Sequence, residues 1–327
     1  MKCFRVFLLY SLLFLIYPLH NYAQVTALRF ENFTTENGLP QNSGYSIAQT
    51  SEGFMWFGTQ DGLCRFDGYR LKIYKHIQND NLSICGNQVN TLFTDYKGNL
   101  WIGTPNGVCI YLFHTDQFTS PAAYLGYACE ADKLNTQFIM EDSDKNIWVV
   151  TANQGLYLLN NHDKKTSRFF TENPDKLSLG EIKKDEQQRI CITNGNDIYR
   201  FNGVDFTALQ IKNTKGFPRD GLTISHFLFT NKELWLASLN HGLIRINSST
   251  NKVIEKIDSR NKTWQLKNNE ITDLLRDSKN NIWIGTVNNG IYKYDFTNGH
   301  LANGCFIASD KYSIRKNYII SLFEDKQ

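Results

Sequence analysis

At 327 residues, 41% hydrophobic and 20% charged, the chain is long enough for one large core and falls within the globular range. Its formal net charge of +3, with no basic stripe, excludes the electrostatic footprint of a nucleic-acid binder. An aromatic fraction of 13% against only three methionines favours pleated β-structure, on which flat side chains pack well.

The chain opens on a secretory signal, read as residues 1–23. Lys2 and Arg5 supply the positive start, and Val6 to Leu19 is a run of about 14 apolar or weakly polar residues. That run is short for a membrane anchor, which needs roughly 20. Ala23 before Gln24 is the expected cleavage point, and no later segment is long and apolar enough to cross a bilayer. Export would place the mature chain in the periplasm. Six cysteines follow the leader: Cys64, Cys85, Cys109, Cys129, Cys191 and Cys305. They form no CxxC pair and no compact disulfide framework, and read as buried free thiols.

From residue 44 onward one pattern recurs. Gly53-Phe54-Met55-Trp56-Phe57-Gly58-Thr59 precedes Gly62-Leu63-Cys64-Arg65-Phe66, and Gly98-Asn99-Leu100-Trp101-Ile102-Gly103-Thr104 precedes Gly107-Val108-Cys109-Ile110-Tyr111. Further copies centre on Trp148, Trp235 and Trp283, followed by Gly155, Gly242 and Gly290. A worn fourth copy has Ile190-Cys191-Ile192-Thr193 in place of the tryptophan segment and keeps Ile198-Tyr199-Arg200-Phe201. The tryptophans at 56, 101, 148, 235 and 283 set a period near 45, with two periods across the worn copy.

Such a period suits a propeller blade, and the residues within each unit favour it over a helical solenoid. Each unit runs from an apolar stretch through a turn rich in Asp, Asn, Lys and Gly, such as Asp95 to Asn99. The tryptophan strand, a short turn ending in glycine and a third strand follow. A fourth strand is visible in places, as in Arg70-Leu71-Lys72-Ile73-Tyr74. The fold class is therefore all-β, a propeller of four-stranded antiparallel blades over residues 24–327. It has six recognisable repeats and the start of a seventh at Tyr318-Ile319-Ile320-Ser321-Leu322-Phe323-Glu324-Asp325. The repeated Trp, Gly, Asp and Thr read as scaffold.

These repeats resemble the two-component regulator propeller. Phe30-Glu31-Asn32-Phe33-Thr34-Thr35-Glu36-Asn37-Gly38-Leu39-Pro40 is similar to the family's lead-in, and Gly53 to Gly68 to its first full repeat. The resemblance implies the periplasmic sensor region of a hybrid histidine kinase in a polysaccharide-degrading bacterium. Members carry two seven-bladed propellers, a β-sandwich, a membrane helix and a kinase, and pair with a dimer partner. The resemblance ends at Gln327, so the chain reads as a truncated or fragmentary member, an incomplete part of a seven-bladed ring. It is expected to have no catalytic domain of its own.

The expected ligand is a glycan fragment. In an up-and-down blade the turns between second and third strands share a face with the connections between blades. Those connections are read as residues 77–88, 112–136, 164–180, 203–222, 247–270 and 296–317. The candidate binding residues on those turns are Gln60, Asp61, Asn106, Asn153, Gln154, Asn240, His241, Asn288 and Asn289, whose amides and charges suit sugar hydroxyls. Turns select Asn and Asp for their own geometry as well.

No HExxH, GxSxG or Walker A pattern occurs, the seven histidines lack metal-ligand spacing, and no cofactor is expected. Asp142 and Asp144 share a turn without an opposing carboxylate, unlike a glycosidase pair. The alternatives are a propeller enzyme (polysaccharide lyase or glycoside hydrolase), a free-standing binding module and a gene remnant.

Overall fold

The computed structural model describes residues 28–172, 177–212, 221–230, 232–261, 264, 266–296 and 299–326. The expected leader lies outside them. Six four-stranded antiparallel sheets follow one another along the chain, each a simple meander. Blade 1 comprises β1 (Gly44–Gln49), β2 (Met55–Thr59), β3 (Gly62–Phe66) and β4 (Leu71–Tyr74). Blade 2 comprises β5 (Thr91–Thr94), β6 (Leu100–Thr104), β7 (Gly107–Leu112) and β8 (Gln117–Thr119). Blade 3 holds β9 (Thr136–Glu141), β10 (Ile147–Thr151), β11 (Leu156–Asn160) and β12 (Lys165–Phe169). Blade 4, the worn copy, holds β13 (Leu179–Lys184), β14 (Ile190–Asn194), β15 (Asp197–Phe201) and β16 (Phe206–Ala208). Blade 5 is β17 (Ile224–Thr230), β18 (Glu233–Ser238), β19 (Gly242–Asn247) and β20 (Val253–Ile257). Blade 6 is β21 (Ile271–Arg276), β22 (Ile282–Thr286), β23 (Ile291–Asp295) and β24 (His300–Gly304). One short helix, α1 (Pro121–Leu125), follows blade 2.

The outermost strands β8, β12, β16, β20 and β24 fall inside stretches that sequence reads as connections. They are three to five residues long and sit at the rim with one neighbour each, so they need little apolar patterning to announce them.

The recurrent turn residues have specific work. Asp95 Oδ1 accepts the backbone N–H groups of Lys97 and Asn99 at 3.0 and 2.9 Å, while Oδ2 accepts the Trp101 indole N–H at 3.0 Å. Asp142 and Asp277 repeat this with Trp148 and Trp283, each at 2.9 Å. One carboxylate thus closes the β-turn and holds the tryptophan, which explains why the two recur six residues apart. Three of the tryptophans then pack on an aromatic from the next blade. Trp56 meets Tyr111 at 4.6 Å, Trp148 meets Phe201 at 5.1 Å, and Trp235 meets Tyr294 at 6.2 Å. These contacts fill the wedges between sheets, and the core is the chain of wedges.

In blade 4, Cys191 is fully buried at the tryptophan position. Asp185 instead binds arginines, with Arg189 Nη2 at 2.8 Å and Arg200 Nε at 3.0 Å.

Residues 318–326 form the hub segment between blades 6 and 1. Ile319 N–H donates to Thr286 O at 3.0 Å, as Val89 N–H donates to Thr59 O at 2.9 Å. Ser278 N–H donates to Glu324 Oε2 at 2.8 Å, as Tyr96 N–H donates to Glu141 Oε2 at 2.9 Å. Lys326 N–H completes the circuit on Gln49 Oε1 at 2.7 Å. At the rim of the same sector Phe30 N–H donates to Tyr312 O at 2.8 Å, the counterpart of Phe118 N–H on Leu82 O at 3.0 Å. The Phe33 ring lies 5.2 Å from that of Phe66. The hub is therefore lined by the first strands of six blades and, between blades 6 and 1, by the irregular segment 318–326. Coverage is thinner in the seventh sector: Trp283 is half-buried, whereas Trp56, Trp101, Trp148 and Trp235 are buried.

Candidate functional site

The loop-bearing face is fixed by a recurrent asparagine that sequence reasoning passed over. The backbone carbonyls of Asn87, Asn269 and Asn317 accept the N–H groups of Gly62, Gly242 and Gly290, at 2.7, 2.9 and 2.9 Å. Their side-chain Oδ1 atoms accept the N–H groups of His76, Ser259 and Phe306, at 2.7, 2.6 and 2.7 Å. Each asparagine pins a connection to the turn between second and third strands, so the two do share a face.

The candidate residues lie on that face, and most are bound into their own hairpins. Asp61, Asn106, Gln154, Asn240, His241 and Asn289 each donate a backbone N–H to the hydroxyl of the Thr or Ser that ends the second strand, at 3.0–3.2 Å. Those hydroxyls include Thr59, Thr104, Thr151 and Thr286, which in turn donate to the carbonyls of Gly62, Gly107, Gly155 and Gly290. Asp61 pairs with Lys75 at 2.6 Å, Asn106 Nδ2 reaches Cys85 O at 3.4 Å, and Asn240 Oδ1 accepts from Thr223 N–H at 3.2 Å. Gln60 meets Gln41 at 3.5 Å, and Asn288 donates to Glu270 Oε2 at 3.3 Å. Asn153 is exposed. Burial, then the nearby Lys256, holds His241 below the ordinary imidazole range.

A cavity of about 530 Å³ lies at the hub. The innermost strands and residues 320–322 line it, and none of the nine candidates does. Ser46, Thr91, Phe138, Glu181, His226, Asp273 and Ser321 contribute one residue per hub position, 43 to 48 residues apart in sequence. A break in strand register precedes this position in blades 1, 3, 5 and 6, at Tyr45, Gln137, Ser225 and Thr272, and takes in Gly180 and Glu181 itself in blade 4. A bulge of this kind re-aims the following side chain, here toward the axis.

On one side of this tier His226 stands between two carboxylates. Its Nε2 is 3.6 Å from Glu181 Oε1 and 3.4 Å from Asp273 Oδ1, and Lys183 Nζ is 2.7 Å from Glu181 Oε1. The His226 Nδ1 atom is buried without a hydrogen-bond partner. The second oxygens brace the ring: Glu181 Oε2 accepts Phe227 N–H at 2.8 Å, and Asp273 Oδ2 accepts Leu322 N–H at 2.6 Å. At the cavity mouth Gln88 donates to Asn90 at 3.0 Å, and Asn90 donates to Thr136 O at 2.9 Å. The site thus offers hydroxyl, amide, carboxylate and imidazole groups within one depression. Among the described residues no group of three or more His, Cys, Asp or Glu side chains is arranged to hold a metal ion.

A family model described as the two component regulator propeller matches residues 38–61, 83–106 and 265–288. Histidine kinase P4 of Formosa agariphila is 29% identical, over 42% of this chain and 17% of its own length. The extracellular domain of the hybrid two component system BT3049 from B. thetaiotaomicron superposes with a TM-score of 0.72 at 22% identity, covering 91% of this chain and 39% of that one. Virginiamycin B lyase from Staphylococcus aureus superposes with a TM-score of 0.59 at 15% identity, covering 80% and 83%. The chain therefore spans less than half the length of the first two, and at these identities the two structural likenesses bear on fold alone.

Proposed function

We propose, for a chain that belongs to the two component regulator propeller family, that this propeller is the exported ligand-sensing part of a two-component receptor and takes a poly- or oligosaccharide at its hub. The observation that carries the ligand reading is the tier of polar side chains lining the hub cavity. A cavity of about 530 Å³ falls within the usual range for small ligands. Its amides, hydroxyls and carboxylates suit a ligand presenting many hydroxyl groups. Gln60, Asp61, Asn106, Asn153, Gln154, Asn240, His241, Asn288 and Asn289 would then form the outer rim met by a longer chain. Residues 1–23 direct export to the periplasm in this reading. Signalling through a kinase, and pairing with a second receptor, belong to the larger proteins this chain resembles.

Isothermal calorimetry against a panel of neutral, acidic and amino oligosaccharides tests the proposal. Saturable binding that weakens at least tenfold in both Glu181→Gln and Asp273→Asn supports a hub site. Binding by no member of the panel, or binding indifferent to both substitutions, refutes it. Mass spectrometry of the recovered ligand separates sensing from catalysis: an unchanged oligosaccharide supports the sensor, and a shortened or unsaturated product supports a propeller enzyme.

A further inference from the structure

Two cysteines meet away from the hub. Cys85 lies in the connection between β4 and β5, and Cys109 lies in β7 of blade 2. The Cys85 backbone N–H donates to Cys109 Sγ at 3.2 Å, and both thiols are free. Thr104 Oγ1 donates to Cys85 Sγ at 3.6 Å, and Cys85 Sγ is 3.7 Å from Gly107 O. A disulfide requires Cα atoms less than about 7 Å apart, and the contact of Cys85 N with Cys109 Sγ sets the two residues side by side. We propose that Cys85 and Cys109 form a disulfide by exchange with a small oxidised disulfide, stapling the connection between blades 1 and 2 to the third strand of blade 2.

The environments of the two thiols set their roles. Cys85 is half-buried, whereas Cys109 is 4% exposed. The hydrogen bond from Cys109, aided by Thr104, holds the Cys85 thiol below its ordinary range despite burial. Burial pushes Cys109 up. Cys85 is therefore the attacking thiolate. It attacks one sulfur of glutathione disulfide, a Cys85–glutathione bond forms, and one glutathione thiolate leaves. Cys109 then gives its proton to solvent and attacks the Cys85 sulfur, expelling the second glutathione as a thiolate that takes up a proton. Two protein thiols are oxidised and one small disulfide is reduced. The second step is slower, because the buried Cys109 must deprotonate, so a Cys85 mixed disulfide appears first. Burial pushes the thiols of Cys64 and Cys191 up to about 11, which keeps them out of the exchange. The stapled connection also carries Asn87, which pins Gly62, and Gln88, which lines the hub mouth. Oxidation would thereby stiffen one side of the candidate binding face.

The test equilibrates the reduced full chain in glutathione buffers of graded redox ratio and quenches with acid. Free thiols are alkylated in denaturant, and the protein is analysed without reduction. The expected result is a species with two fewer alkylated thiols, preceded by a transient glutathione adduct on Cys85. Trypsin leaves Cys109 and Cys129 on one peptide, because no Lys or Arg lies between Gly98 and Ala131. A second cut before Asp116 therefore identifies the linked pair. Cys85→Ser should retain every remaining thiol and form no cross-link. Full alkylation at every ratio, or a cross-link that leaves out either Cys85 or Cys109, overturns the proposal.

Discussion

Replacing Asp185 by alanine tests how the worn blade survives without its tryptophan. Its side chain is 1% exposed. Oδ1 accepts the backbone N–H groups of Gln187 and Arg189, both at 2.9 Å, and Oδ2 accepts Arg189 Nε at 2.9 Å while facing Arg200 Nε at 3.0 Å. The two turn bonds contribute about 1 kcal/mol each, or somewhat more as bonds to a charged acceptor. Arg189 is 46% exposed, so its pair adds little. Arg200 is 18% exposed, and its guanidinium would be left without its carboxylate. Removing one partner of a buried pair costs about 3–5 kcal/mol, and this partly buried site belongs near the lower end. We expect Asp185→Ala to lose about 3–4 kcal/mol in urea unfolding. Asp185→Asn should lose less, because an amide oxygen still accepts both turn bonds. In the double variant with Arg200→Ala the losses should be clearly less than additive. A loss below about 1 kcal/mol for Asp185→Ala would show that the carboxylate does not hold this blade together.

Cys191→Trp, which restores the repeat residue, should destabilise the protein by about 1–3 kcal/mol or more by overpacking. The site is fully buried, and Asp185 is already bound to Arg200; a gain in melting temperature would contradict this. Gly107→Ala should be more damaging than Gly53→Ala. Both have positive φ, at +132° and +88°, but a Cβ at 107 would lie 1.8 Å from Asp132 O, while at 53 nothing lies within 4 Å. Thermal unfolding of the two variants gives the ranking. Burial pushes the Asp116 carboxyl up, but hydrogen bonds from Lys72, Tyr74 and Tyr111 outweigh it and hold the group down at about 2. A carboxylate lowered in the folded state stabilises above its ordinary range near 3.8 and loses that contribution as pH falls toward 2. Its side chain is 39% exposed, so the contribution is screened to under about 1 kcal/mol. Asp116→Asn should therefore lower stability at pH 7 by under about 1 kcal/mol and flatten the stability profile between pH 4 and pH 2.

The blades were legible because their signals are repeated and chemically obligatory. Asp95, Asp142 and Asp277 each serve a turn and an indole at once, so neither residue can drift without the other. The rim strands were illegible because three to five residues with a single neighbour carry no pattern of their own. The face bearing the connections was readable from strand alternation. Which polar residues gather on it was not, because Asn106, Gln154 and Asn289 are selected by their hairpins. The hub tier was hidden for the opposite reason. Ser46, Thr91, Phe138, Glu181, His226, Asp273 and Ser321 occupy one geometric position with almost no shared chemistry, so only their spacing repeats.

That contrast locates where a propeller of this kind can change its ligand. Residues that contact their own blade must keep the repeat, whereas a residue facing the axis meets only its neighbours in the ring. Glu181 and Asp273 stand at the border between these classes, since one oxygen of each holds the next strand and the other faces His226. An amide at either place can still accept the Phe227 or Leu322 N–H while removing the charge beside the imidazole. Glu181→Gln and Asp273→Asn therefore separate recognition from folding. If binding falls while unfolding stays within about 1 kcal/mol of the parent, the charge acts on the ligand; if both fall together, the carboxylates serve only to brace the ring.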